Sequence, residues 1–142
     1  MRRVLLVLSA ILLVQFQAVS ASAATLVARV SVSGQTMTVS QNGVVKYRWP
    51  VSTGRKGYGT PKGTWSAKWL SRNHRSRKYN NAPMPFAVFY NGGYAVHATY
   101  DTKRLGRPAS HGCVRLHPDN AATFFRLARA AGLANTRIVV AR

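Results

Sequence analysis

Ser110-His111-Gly112-Cys113-Val114-Arg115-Leu116 is the stretch on which the reading of this chain turns. It holds Cys113, the single cysteine of the 142 residues. A second histidine, His97, lies sixteen residues upstream, near the end of an apolar, strand-like run. A lone thiol with an imidazole in reach is the minimum equipment for nucleophilic acyl transfer. Only the thiolate reacts, and an unassisted thiol of pKa ~8.5 forms little of it at neutral pH. Cys113 is therefore read as a nucleophile and His97 as its proton donor and acceptor. Gly112 lets the backbone turn sharply, and the N–H groups of Gly112 and Cys113 are natural donors to a tetrahedral oxyanion.

The other polar residues take lesser roles. His111 is a rival base, because i and i+2 side chains of an extended segment point the same way. Its expected work is to hold the loop or line the substrate pocket. Ser110 is read as loop support. Arg115 is suited to favour the thiolate, fix the loop or meet a substrate carboxylate. Asp101, four residues past His97, is the nearest candidate to orient the imidazole; a backbone carbonyl is the alternative. Asp119 reads as a helix cap. His74, in a polar and basic stretch, and His117, just before a helix, are read as non-catalytic. One cysteine and four scattered histidines make no zinc spacing, and neither GxGxxG nor a P-loop occurs. No metal and no cofactor are expected.

Outward from this motif the chain reads as mainly β. Leu26–Ser33 and Thr36–Gln41 alternate apolar and polar residues. Asn42-Gly43 between two β-rich runs signals a hairpin. Val44–Val51 is the return strand, with Pro50 near an edge or its end. Residues 52–83 are punctuated by Gly54, Gly57, Gly59, Pro61 and Gly63, then by the basic run Arg72-Asn73-His74-Arg75-Ser76-Arg77-Lys78. Such a segment reads as a long capping loop, with Trp65 and Trp69 either anchoring it or serving as core aromatics. Met84–Tyr90 and Tyr94–Thr99 form a second hairpin about Asn91-Gly92-Gly93, with Pro85 near the start of its first strand, and this hairpin delivers His97. Asp119–Ala131 is a helix capped by Asp119 or Asn120, buried along Ala121, Phe124, Phe125, Ala128 and Ala131, and stopped by Gly132. Thr136–Ala141 closes the chain as a strand.

Composition bounds the setting. Residues 1–23 read as an export signal: Arg2 and Arg3, an apolar run from Val4 to Val14, then Ala21-Ser22-Ala23. The mature domain is expected over residues 24–142, in the periplasm or cell envelope. The apolar run is short of the ~20 residues that span a bilayer, so no stable membrane insertion is expected after cleavage. Basic residues number 21 against two acids, and the mature chain keeps about +17. That charge favours polyanionic partners. Export argues against nucleic acid and for envelope polymers bearing carboxylates or phosphates.

His97-Ala98-Thr99 followed by Ser110-His111-Gly112-Cys113-Val114-Arg115-Leu116 resembles the signature of the L,D-transpeptidase catalytic domain, the YkuD-like family. Gly59-Thr60-Pro61-Lys62-Gly63 and Met84-Pro85-Phe86 are also similar to that family. The resemblance runs from about Leu26 to Val140, and we expect no added wall-binding module. It implies a β-sandwich of mixed sheets, one helix after the cysteine motif and a long loop over the site. It implies Cys113 as nucleophile, His97 as proton donor and acceptor, and oxyanion stabilisation around Gly112 and Cys113. It further implies peptidoglycan stem peptides as substrate. Attack falls on the carbonyl of the third residue, a diamino acid, with loss of terminal D-Ala and formation of a 3→3 cross-link. Other acceptors implied are an amine-bearing envelope protein, a free D-amino acid or water, and carbapenems are implied as covalent ligands. With water the enzyme is an L,D-carboxypeptidase or endopeptidase. The alternative outside enzymes is a non-catalytic, basic cell-wall-binding protein. The family commonly has glycine where this chain has Ala98; were φ positive there, alanine would be strained.

Overall fold

In the computed structural model, which describes residues 24–142, alternation of apolar and polar residues builds the first sheet. Strand β1 (Leu26–Ser31) buries Leu26, Ala28 and Val30 and turns Arg29 outward. Strand β2 (Thr36–Gln41) buries Met37 and Val39 and pairs antiparallel with β1. Asn42 and Gly43 then adopt φ of 47° and 79°. Those values suit a tight hairpin turn, and β3 (Val44–Pro50) returns along β2. The last strand, β9 (Thr136–Ala141), lies parallel to β1, and β4 (Gly63–Ser66) runs antiparallel to β9. The order is β3-β2-β1-β9-β4. Pro50 thus ends an edge strand, where its missing N–H leaves no gap in the ladder. The expected signal, residues 1–23, lies outside the described residues.

The second sheet carries the site. Strands β5 (Trp69–Ser76), β6 (Ala82–Asn91), β7 (Tyr94–Ala98) and β8 (Val114–Leu116) follow in that order, antiparallel except for the parallel pair β7–β8. Helix α1 (Pro118–Ala131) packs chiefly on β6 and β7. One core joins the sheets and the helix: Met37 and Val39 from the first, Val88, Val96, Val114 and Leu116 from the second, and Phe124 and Ala128 from α1. Truncating Phe124, 1% exposed, to alanine is expected to cost about 3–5 kcal/mol. The expected mainly β, mixed-sheet sandwich with one helix after the cysteine motif is therefore the fold.

Three local expectations need correction. The stretch read as a capping loop contains β4 and β5, and Arg77–Asn81 is the turn of a β5–β6 hairpin. Asn80 and Asn81 supply positive φ there, 52° and 55°. Strand β6 begins at Ala82, so Pro85 lies inside it, opposite Asn73. The helix begins one residue early: Pro118 takes its first turn, and His117, not Asp119 or Asn120, is the cap, accepting from the Asp119 N–H on Nδ1 at 3.3 Å. Gly132 stops it as expected, its N–H bonded to the Ala128 carbonyl.

Candidate active site

The β7–β8 pair brings the two halves of the motif together. Parallel register sets Val96 opposite Val114, His97 opposite Arg115 and Ala98 opposite Leu116. Successive side chains alternate faces, so Val96, Val114 and Leu116 enter the core while His97 and Arg115 share the opposite face. Cys113 packs there against a small apolar cluster of Met84, Ala87, Phe89 and Ala95. Cys113, His97, Ser110, His111 and Arg115 line one cavity of about 580 Å³. Its rim is completed by Arg55, Tyr79, Tyr94 and Arg104.

The imidazole is oriented by the backbone. His97 Nδ1 lies 2.7 Å from the Ala98 carbonyl oxygen. A carbonyl only accepts, so Nδ1 carries the proton and Nε2 keeps its lone pair. Asp101 does other work: its carboxylate meets Arg104 Nε at 3.1 Å. Burial lowers the His97 pKa from 6.5 to about 4, with Arg115 and His74 pushing the same way and the Ala98 carbonyl opposing them. Ala98 is buried in extended backbone, paired with Leu116, and is absent from the positive-φ residues. The alanine in place of the family's common glycine carries no backbone strain.

The thiol is free and partly buried. Burial pushes its pKa above the usual thiol value, while the Ala95 backbone and the Arg115 charge pull it down. Its sulfur lies 3.8 Å from the Gly93 carbonyl. Thiol and imidazole share no hydrogen bond among the described residues. Burial thus disfavours the charged form of both groups.

The turn before Cys113 is built by Ser110. Its hydroxyl donates to the Cys113 carbonyl at 2.6 Å and accepts from the Gly112 N–H at 3.0 Å. Gly112 sits at φ 119°, and a Cβ there would stand 2.5 Å from Tyr94 Cε1. Glycine is therefore required by both conformation and space. In this turn the Gly112 N–H donates to Ser110, whereas the Cys113 N–H has no hydrogen bond among the described residues. His111, the rival base, lines the same cavity. Its ring stacks on Tyr79 at 4.0 Å and meets Tyr58 edge-on at 4.9 Å, clasping the hairpin turn to the 55–60 loop. Partial burial and the charges of Arg55, Arg115 and Lys78 hold its pKa below the ordinary value.

Arg115 is fixed by its backbone, which exchanges hydrogen bonds with Ser52 at 2.9 and 3.0 Å. Its guanidinium faces the cavity without an ion-pair partner among the described residues. With Arg55, Lys78 and Arg104 against Asp101 alone, the cavity lining favours an anionic ligand. Tyr58, Tyr79 and Tyr94 were not singled out from sequence, because no local pattern announces a contact made across the sheet. No cluster of three or more metal-ligating side chains, and no helix long and apolar enough to cross a membrane, occurs among the described residues.

Residues 26–140 match the YkuD family, the L,D-transpeptidase catalytic domain, and the chain belongs to that family. It is 32% identical over 109 residues to L,D-transpeptidase 1 of Mycobacterium tuberculosis, covering 67% of this chain and 43% of that protein. An L,D-transpeptidase solved in complex with imipenem superposes with a TM-score of 0.73 at 30% identity, covering 82% of this chain and 59% of that one. An L,D-transpeptidase of Mycobacterium smegmatis gives 0.73 at 26% identity, covering 83% and 59%. The chain thus spans less than half the length of the curated relative it matches.

Proposed function

We propose that this chain is an exported cysteine L,D-transpeptidase acting on peptidoglycan stem peptides in the periplasm or cell envelope, with Cys113 as nucleophile and His97 as proton shuttle. The observation that carries the reading is one cavity lined by a free thiol and an imidazole whose Nδ1–H is tied to a carbonyl, leaving Nε2 as a base. Sγ attacks the carbonyl of the stem's diamino acid while its proton passes to Nε2. The Cys113 N–H meets the developing oxyanion, a kind of contact worth about 3–4 kcal/mol elsewhere. The tetrahedral adduct collapses to a thioester and expels D-Ala, whose amine takes the proton from Nε2. An acceptor amine then attacks the thioester, again through His97, restoring the thiol and forming the cross-link. Ser110 supports the turn, His111 the rim, and Arg115 meets a substrate carboxylate. Export rests on the expected signal at residues 1–23. Carbapenem acylation of Cys113 is supported by the relative solved with imipenem.

The test is D-Ala release from a tetrapeptide stem, with product analysis. Cys113→Ala is expected to abolish release and His97→Ala to remove most of the rate; full turnover by Cys113→Ala overturns the assignment. A dimeric product identifies an amine acceptor, and tripeptide alone identifies water.

A further inference from the structure

Trp69 is the most exposed of the chain's three tryptophans. It is 43% exposed although its indole already lies flat on Phe89, at 3.7 Å and 2° between ring planes. His74 stands edge-on to both rings, at 5.5 Å from Trp69 and 4.9 Å from Phe89. The ring is therefore held in one orientation, with area left open to solvent. Trp69 lies on the edge strand β5, so this area is open to a ligand.

The stack adjoins the cleft without belonging to it. Phe89 is part of the apolar cluster against which Cys113 packs, and Met84 of that cluster also lines the cavity. Neither Trp69 nor His74 lines the cavity. A backbone irregularity makes the arrangement possible. Phe86 adopts φ 54°, and the Arg72–Phe86 pairing is skipped in the β5–β6 register. The alternation of faces resets there, so His74 and Met84 join Trp69 and Phe89 on one face. A bulky residue at positive φ is costly, which marks the segment as one held in place by its surroundings.

We propose that the Trp69–Phe89 stack is a saccharide platform that holds the glycan strand of the wall polymer while the stem peptide enters the cavity. This rests on the peptidoglycan reading above. The C–H face of a pyranose ring matches the electron-rich face of an indole, and a ring already fixed by stacking loses little rotamer freedom on binding. Trp69 stacks on Phe89, and Phe89 belongs to the cluster against which Cys113 packs, which puts the two arms of a sugar–peptide substrate on neighbouring parts of one face.

The experiment titrates chitotetraose, and glycan strands stripped of peptide, into Cys113→Ala protein while following the three tryptophan indole N–H resonances. The Trp69 signal, assigned by its loss in Trp69→Phe, is expected to shift most. Active Trp69→Ala is expected to raise KM about tenfold on glycan-linked stems, with kcat and the free-stem KM unchanged and partial rescue by Trp69→Phe. An unmoved Trp69 resonance overturns the proposal. So does an equal loss on free and glycan-linked stems, which marks a structural role, or concentration-dependent broadening of the Trp69 signal without sugar, which marks self-association. The titration needs no turnover. Failure of the catalytic reading would instead appear as an unmodified protein that does not process free stems.

Discussion

Acid sensitivity should come largely from one buried imidazole. His97 is 5% exposed, and burial holds its pKa down to about 4, against 6.5 in the unfolded chain. The folded pKa is depressed, so the unfolded state binds the extra proton first and stability falls as pH drops. The window runs from 6.5 down to about 4. The loss from this group is about 2 kcal/mol by pH 5 and about 3 kcal/mol by pH 4, against total stabilities of about 5–15 kcal/mol for domains. The background is unusually clean, because the chain has only two carboxylate side chains, Asp101 and Asp119. The perturbation is His97→Asn, whose amide can still donate to the Ala98 carbonyl. Urea unfolding of both proteins between pH 7.5 and 4 measures it, and subtracting the variant's profile removes the other histidines. The wild type should lose about 3 kcal/mol relative to the variant across that range. Parallel profiles would refute a buried neutral His97.

Three further outcomes follow from the same geometry. Alkylation of Cys113 by iodoacetamide in the free enzyme should reach its half-maximal rate at a higher pH than alkylation of a free thiol, because burial raises the thiol; a half-maximal rate at pH 7 or below would contradict a buried, neutral thiol. Gly112→Ala should lower kcat strongly and stability by about 1–3 kcal/mol, through strain at φ 119° and collision with Tyr94; wild-type kcat would refute this. Tyr90→Phe should leave the melting temperature unchanged or higher, since the Tyr90 hydroxyl is buried without a partner among the described residues; a fall of more than 1 kcal/mol in unfolding free energy would show that the hydroxyl is satisfied.

Local chemistry explains what the sequence revealed. Asn42-Gly43 and Asn91-Gly92-Gly93 carry their turns in their own residue types, so both hairpins were legible, and the second led directly to His97. The single cysteine after a glycine pointed to the turn that is found. Strand β5 was hidden because its alternation resets at Arg72 and because polar residues fill both its faces. The Asn80-Asn81 turn was the available signal for it. Pro118 was likewise the available signal for an earlier helix start. The Gly112 N–H could not be assigned from sequence, since its partner depends on the rotamer of Ser110. The pairing of His97 with the Ala98 carbonyl was one of two open choices, and burial of the ring depends on the whole sheet.

The most direct test of the central claim is the intact mass of the mature chain mixed with a purified tetrapeptide stem, beside Cys113→Ala. The account predicts a transient adduct at Cys113 equal to the stem minus D-Ala, with D-Ala released and no adduct on the variant. Unmodified mass and no D-Ala, from folded protein with a reduced thiol, would contradict it.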